Sequence, residues 1–367
     1  MTVPLAPAGS PRDRARGCLL GLAAGDALGA PAENMTPEAI AARWGVLAEI
    51  EGGGTDDTEY SLFAASLLLR HGHALTSEDV AEAWRAEIVA RLDGPMRGAG
   101  FSELGTVRAL HRGLGPPLSG RWHPHGWSDG LAMRAAPYGI FAAGDPDEAA
   151  RLAEIDGRVS HSGEGVLGGR AVAAAVAVAM TGAGPDEVVE AGLRAVPGDS
   201  WTARAARKAL AIVRDGSERT SREEFARALH DSVVVKHYPW TDLAPEAVAL
   251  AFSAYVRGGG EVEAAVVTAA NLGRDADTTA AIAGALAGAG AGEAGVPERW
   301  ARRVGPVAGR CLPVVAGRHV RDAADRLADT LTGRPEGGPV AALVGGPADG
   351  PSGRARQLDR RRMTLEG

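Results

Sequence analysis

From Thr279 to Ala289 the chain runs through small and apolar residues without one charged side chain. A helix of this composition has no face that prefers water, so it is expected to be buried. Its small side chains let neighbouring backbones come close. Just before it stands Asn271-Leu-Gly-Arg-Asp-Ala-Asp-Thr278, which puts Asp275, Asp277 and Thr278 at the mouth of the buried helix. Carboxylates there are costly unless something positive meets them. Helix N-capping accounts for one Asp or Thr, but not for all three together.

A second cluster with the same grammar lies far upstream. In Gly52-Gly-Gly-Thr-Asp-Asp-Thr-Glu59 a glycine-rich turn delivers Thr55, Asp56 and Asp57 to the start of another apolar helix, expected over 58–70. Carboxylate and hydroxyl oxygens without cysteine or clustered histidine suit hard cations such as Mg²⁺, Mn²⁺ or Ca²⁺. Two divalent ions would neutralise the four aspartates.

The chain of 367 residues is 45% hydrophobic but only 4% aromatic, with 51 glycines. It can bury a large core, and its alanine and glycine favour closely packed helices over sheets. A formal net charge of -7 argues against general binding to nucleic-acid phosphates. Cys18 and Cys311 make neither a disulfide framework nor a CxxC metal site and read as core residues. With no signal-peptide apolar region and no stretch greasy enough to span a bilayer, a cytoplasmic protein without a membrane partner is expected.

Taken in order, residues 1–11 read as a loose leader and 12–332 as one all-α domain of a dozen or more helices. Residues 333–367, Gly/Pro-rich and then Arg-rich, read as a disordered tail. Thr36-Pro37-Glu38, Thr76-Ser-Glu-Asp79 and Asp145-Pro146 are helix starts, the second expected to run to about Arg91. A further helix is expected from Ala132, and helices at about 297–304 and 318–332. His123 and His125, in a Pro/Gly setting, read as a surface loop. Strand signals are confined to the brief β-branched run 232–236. No internal repeat of fixed period is evident.

Five stretches in one order resemble the ADP-ribosylglycohydrolase family. They are Gly25-Asp-Ala-Leu-Gly-Ala-Pro-Ala-Glu33, Thr55-Asp-Asp-Thr58, Ser128-Asp-Gly-Leu-Ala-Met-Arg134, His161 before its glycine-rich helix, and Gly273-Arg-Asp-Ala-Asp-Thr278. The resemblance implies an all-helical domain around a dinuclear Mg²⁺ or Mn²⁺ site that holds ADP-ribose. It makes Thr55, Asp56, Asp57, Asp275, Asp277 and Thr278 the metal ligands, and Glu33 the acid beside the scissile bond. Gly98 and Gly100, with Ser128, Gly130 and Met133, fall in loops that wrap the diphosphate and distal ribose. His161 is similar to a histidine that contacts the nucleotide. Arg274 and Ala276 depart from the family's commoner Gly and Thr.

The implied activity is hydrolysis of the glycosidic bond between ADP-ribose and an acceptor on a protein or small molecule. Two cations would clamp vicinal ribose hydroxyls, and a water held by the metals or by Glu33 would attack an oxocarbenium-like carbon. Asp26 reads as a loop tie rather than a ligand, and His161 as either a substrate contact or a helix cap. Two other readings stay open. One is a two-metal phosphoesterase acting on a nucleotide-like substrate; the other is a catalytically silent, ADP-ribose-binding or structural relative. The acceptor would be chosen by the stretch 183–245, which carries no usable motif.

Overall fold

The computed structural model describes residues 8–92, 94, 96–216 and 220–332. In chain order, α1 (Pro11–Gly29) and α2 (Pro37–Trp44) lead to α3 (Asp56–His71), α4 (Ser77–Ala83), α5 (Phe101–His111) and α6 (Leu118–Arg121). Then come α7 (Ala136–Phe141), α8 (Pro146–Ser160), α9 (Glu164–Ala179), α10 (Pro185–Arg194), α11 (Trp201–Asp215) and α12 (Arg222–Ser232). The described chain closes with α13 (Ala244–Arg257), α14 (Val262–Ala270), α15 (Ala276–Ala291), α16 (Glu298–Ala301) and α17 (Val320–Leu331). No strand occurs among the described residues, only an isolated bridge between Ser128 and Leu243. The fold is all-α and forms one domain, as expected.

The expected helix starts act as caps. Thr36 Oγ1 accepts from Ala39 N, and Asp145 Oδ1 from Glu148 N. Thr76 and Asp79 cap each other reciprocally. Each such bond satisfies a backbone donor that the first helical turn leaves without a partner. Other boundaries moved. The helix expected to reach Arg91 leaves α geometry at Trp84, where a π turn carries the ring into the core against Tyr60. The helix expected from Ala132 begins only at Ala136. The turn before it wraps the fully buried Arg134, whose guanidinium donates to Gly130 O and Asp156. The helix expected at 297–304 shortens to α16. His123 is not on the surface: it is buried, with Nε2 3.1 Å from Ser160 O. The run 232–236 leaves α12 as irregular chain.

The centre of the molecule is an antiparallel pair, α1 on α15. Gly17, Gly21, Gly25 and Gly29 recur every fourth residue, one above the other on a single face of α1. They meet Gly288, Gly284, Ala280 and Ala276 of α15 in reverse order. A Cβ on Gly21 would come within 2.1 Å of Gly284 O, and one on Gly25 within 2.1 Å of Ala280 O. The two backbones therefore lie in contact. All but the last two residues of α15 are buried, and Cys18 and Cys311 are both buried free thiols.

Residue 1–7 of the expected leader and the whole expected tail lie outside the described residues, and α1 begins at Pro11 behind a Ser10 cap. Among the described residues no helix is long and apolar enough to cross a membrane.

Candidate active site

Because α1 and α15 run antiparallel, the C-terminal end of one lies beside the N-terminal end of the other. Asp26, buried on α1, accepts from Thr55 N at 2.8 Å, from Thr58 N at 3.2 Å and from the Thr58 hydroxyl. It is the loop tie expected of it, and it pins the start of α3 against α1. Thr55 caps α3 by accepting from Asp57 N at 3.4 Å. Asp56 and Asp57 then occupy the first turn of α3, while Asp275 takes the N-cap position of α15 and Asp277 and Thr278 its first turn. Capping thus explains Thr55 and leaves the aspartates free. Both clusters sit at helix N-termini, where the aligned peptide dipoles favour negative charge.

The two clusters open into one cavity of about 550 Å³. Among the described residues its walls carry the carboxylates of Glu33, Asp56, Asp57, Glu103, Asp129, Asp242, Asp275 and Asp277, and no lysine, arginine or histidine. Asp57 Oδ2, Asp129 Oδ2 and Asp277 Oδ1 are buried without a hydrogen-bond partner. Burial, and then the neighbouring charges, push the Asp56, Asp57, Asp129 and Asp275 carboxyls well above the usual carboxylate range. Burial and the charge of Glu33 push Asp277 up to about 7. Among the described residues no three Asp, Glu, His or Cys side chains close up as a formed metal cluster. The oxygens instead face the cavity, an all-oxygen, strongly negative wall that fits hard divalent cations.

Arg134 lies behind this wall and donates to Glu103 at 3.3 Å and Asp156 at 2.8 Å. Glu103 in turn fixes the glycine loops. A Cβ on Gly100 would meet Glu103 Oε2 at 2.6 Å, and one on Gly130 would meet Oε1 at 2.4 Å. Aromatic rings form the rim. Phe101 and Trp240 are each nearly half exposed, with centroids 6.3 Å apart, and His125 stacks on Phe101 at 4.9 Å.

Glu33 stands exposed at the lip. Its loop is zipped to the approach of α15: Asn34 N donates to Arg274 O at 2.8 Å, and Arg274 N to Met35 O at 3.0 Å. Thr241 Oγ1 donates to Asn34 Oδ1, joining the 239–242 segment to the same lip. Arg274 has φ 63°, the left-handed region that favours glycine. Its side chain turns away from the cavity and pairs with buried Glu246, Nε to Oε1 at 2.5 Å.

The sequence profile of the ADP-ribosylglycohydrolase family matches residues 7–337. The chain belongs to that family. It is 33% identical over 306 residues to an uncharacterized protein of Archaeoglobus fulgidus, covering 78% of this chain and 90% of that one. It is 25% identical to the ADP-ribosyl-[dinitrogen reductase] glycohydrolase of Rhodospirillum rubrum, over 79% of this chain and 90% of the relative. It is 27% identical to the ADP-ribosylarginine hydrolase Tri1 of Pseudomonas putida, over 80% and 74%. A solved structure titled "ADP-ribosylglycohydrolase-related protein complex" superposes with a TM-score of 0.60 at 26% identity, covering 88% of this chain and 98% of that one.

Of the residues that the ADP-ribosylglycohydrolase resemblance singled out, the fold gathers Glu33, Thr55, Asp56, Asp57, Gly98, Gly100, Ser128, Gly130, Met133, Asp275, Asp277 and Thr278 around this one cavity. His161 is the exception. It is buried behind the wall, with Nε2 3.1 Å from Ser128 Oγ and Nδ1 2.7 Å from Ser160 Oγ, and it lines a different cavity. It sits where it orients Ser128. Glu103, Asp129, Asp242, Phe101 and Trp240 were not singled out from the sequence. Asp129 stands inside a stretch already picked out as a loop, whereas Trp240 carries no local signal.

Proposed function

We propose that the protein hydrolyses the glycosidic bond between ADP-ribose and an acceptor, with Thr55, Asp56, Asp57, Asp275, Asp277 and Thr278 holding two divalent cations, Mg²⁺ or Mn²⁺. The observation that carries this reading is one cavity with, among the described residues, eight carboxylates, no basic side chain and unpartnered buried oxygens. When bound, the cations would offset that charge and grip and orient the ribose hydroxyls.

The chain's own residues supply the rest. Glu33, held at the lip by the Asn34–Arg274 zipper, would orient the attacking water and take its proton. The glycines at 98, 100 and 130 let backbone come close to a diphosphate. Phe101 and Trp240 offer flat apolar faces at the mouth for a base. Holding sugar and water in one geometry lowers the barrier by removing their freedom to misalign. The names of the relatives support a protein-linked acceptor as the class to test first.

The test incubates the protein and Mg²⁺ with a panel of ADP-ribosylated acceptors and identifies each product. Free ADP-ribose with the acceptor restored is expected. Release of AMP or phosphate would instead favour the phosphoesterase reading. Intact substrates that nevertheless bind would favour a silent relative.

A further inference from the structure

The wall that carries Ser128 and His161 is shared with a second cavity, of about 470 Å³, whose chemistry is the reverse of the first. Arg121 from α6, Arg158 from α8 and Arg170 from α9 line it, against one carboxylate among the described residues, Glu154. Glu154 serves two of them at once, accepting from Arg158 Nη2 at 2.7 Å and from Arg170 Nη1 at 2.8 Å. Arg121 has no acceptor among the described residues, and Arg170 Nε is buried without one. Burial holds the His161 imidazole neutral, so it adds no charge. Three cations thus face one anion, in a chain whose formal net charge is -7.

Backbone geometry adds to this. Ser162 and Gly163 in the lining lead into α9, a helix of 16 residues whose N-cap, Gly163, offers no side chain to its first amides. A long uncapped helix N-terminus beside guanidinium donors is suited to a doubly charged, multi-oxygen anion. Val166 and Leu167 give the same cavity an apolar side. Its volume lies within the range of small-molecule sites, roughly 300–1,000 Å³.

We propose that this cavity is a second ligand site, separate from the acidic one, which takes the phosphate of a small phosphorylated molecule about the size of a nucleoside monophosphate. The unpaired Arg121 guanidinium, beside those of Arg158 and Arg170, holds the phosphate, and the Val166–Leu167 side packs against the remainder. The proposal stands whether or not the acidic cavity is a hydrolase site.

Calorimetry on the full chain stripped of divalent ions tests it, with AMP and inorganic phosphate as probes. Without cations the acidic cavity repels phosphate, so binding there does not mask the second site. AMP is expected to bind, and inorganic phosphate to displace it. Arg121→Ala, at an exposed position, should leave the melting temperature unchanged and weaken AMP binding about tenfold or more, the scale of a hydrogen bond to a charged group. Arg170→Lys, which keeps the charge but loses the planar guanidinium, should weaken it as well. Asp277→Asn should leave it intact. No AMP binding, binding that phosphate does not displace, binding unmoved by Arg121→Ala, or binding lost in Asp277→Asn would each overturn the proposal.

Discussion

Thr278 Oγ1 donates to Asp57 Oδ1 at 3.3 Å, joining the first turn of α15 to the first turn of α3 across 221 positions of sequence. The bond uses one oxygen of Asp57 and leaves the other, buried, without a partner. Four aspartates brought together in this way repel one another when ionised, and the rest of the fold must oppose that repulsion.

Removal of divalent ions should therefore lower stability and activity together. A ligand that binds only the folded state stabilises it by mass action. Chelation followed by thermal melting is expected to give a clear drop in Tm. Mg²⁺ or Mn²⁺ should restore Tm and turnover, and Zn²⁺ should do so poorly, because the ligands are hard oxygens. An unchanged Tm after verified metal loss would sink the dinuclear site.

The stripped protein should also respond to pH in a defined direction. Asp277 titrates at about 7 in the folded chain, and its neighbours also lie well above the usual range. A carboxyl whose folded pKa is raised stabilises the fold while protonated and loses that contribution as pH rises through the folded pKa. Stability of the stripped protein should fall as pH rises from about 4, where an unfolded carboxyl titrates, through about 7, and saturating Mg²⁺ should flatten the slope. Urea titrations at several pH values read this directly; a slope of opposite sign would refute the electrostatic account.

Glu33→Gln separates chemistry from binding. It keeps the side chain's shape and removes its basicity, so turnover should drop about a hundredfold or more, the usual scale for a general base. ADP-ribose affinity should hardly change. Asp277→Asn should instead lose metal, ligand binding and turnover together. If Glu33→Gln turns over normally, the base lies elsewhere.

The α1–α15 contact predicts a sharp contrast between glycines. Gly21→Ala drives a methyl into Gly284 O and should cost about 3 kcal/mol, the upper end for overpacking. Gly290, on the same α15 but with nothing within 4 Å of a Cβ, should tolerate alanine and gain about 0.5–1 kcal/mol from better helix propensity. Equilibrium denaturation of the two variants gives the comparison, and equal effects would remove the close-approach argument.

Arg274 combines a strained backbone with a useful side chain. Arg274→Gly relieves the left-handed strain and loses the pair with Glu246, whereas Arg274→Ala keeps the strain and loses the pair. Both should destabilise, the alanine variant by about 1 kcal/mol more. The reverse order of midpoints would show that the strain is not felt.

Much of this was legible in the residues. The uncharged run of α15 announced its burial, and two Asp–Thr clusters of the same pattern announced a shared site, which the fold makes one cavity. Other features left no local trace. Trp240 and Asp242 reach the cavity through contacts between residues remote in sequence: Thr241 bonds to Asn34, and Asp129 N donates to Asp242 O. His123 sat among prolines and glycines, yet Ser160 O gave its ring a buried partner. The four-residue spacing of glycine in α1 was visible, but its meaning depended on the facing spacing in α15.

That spacing bears on how the chain is made. Synthesis releases α1 long before α15, and at about 5–20 residues per second the wait between them is on the order of tens of seconds. Throughout it the glycine face of α1 has no partner, and four glycines leave α1 little tendency to stay helical alone. Its completion is deferred until α15 has emerged. The segment that carries Asp26 and leads to Glu33 is thus made long before the partner that orders it.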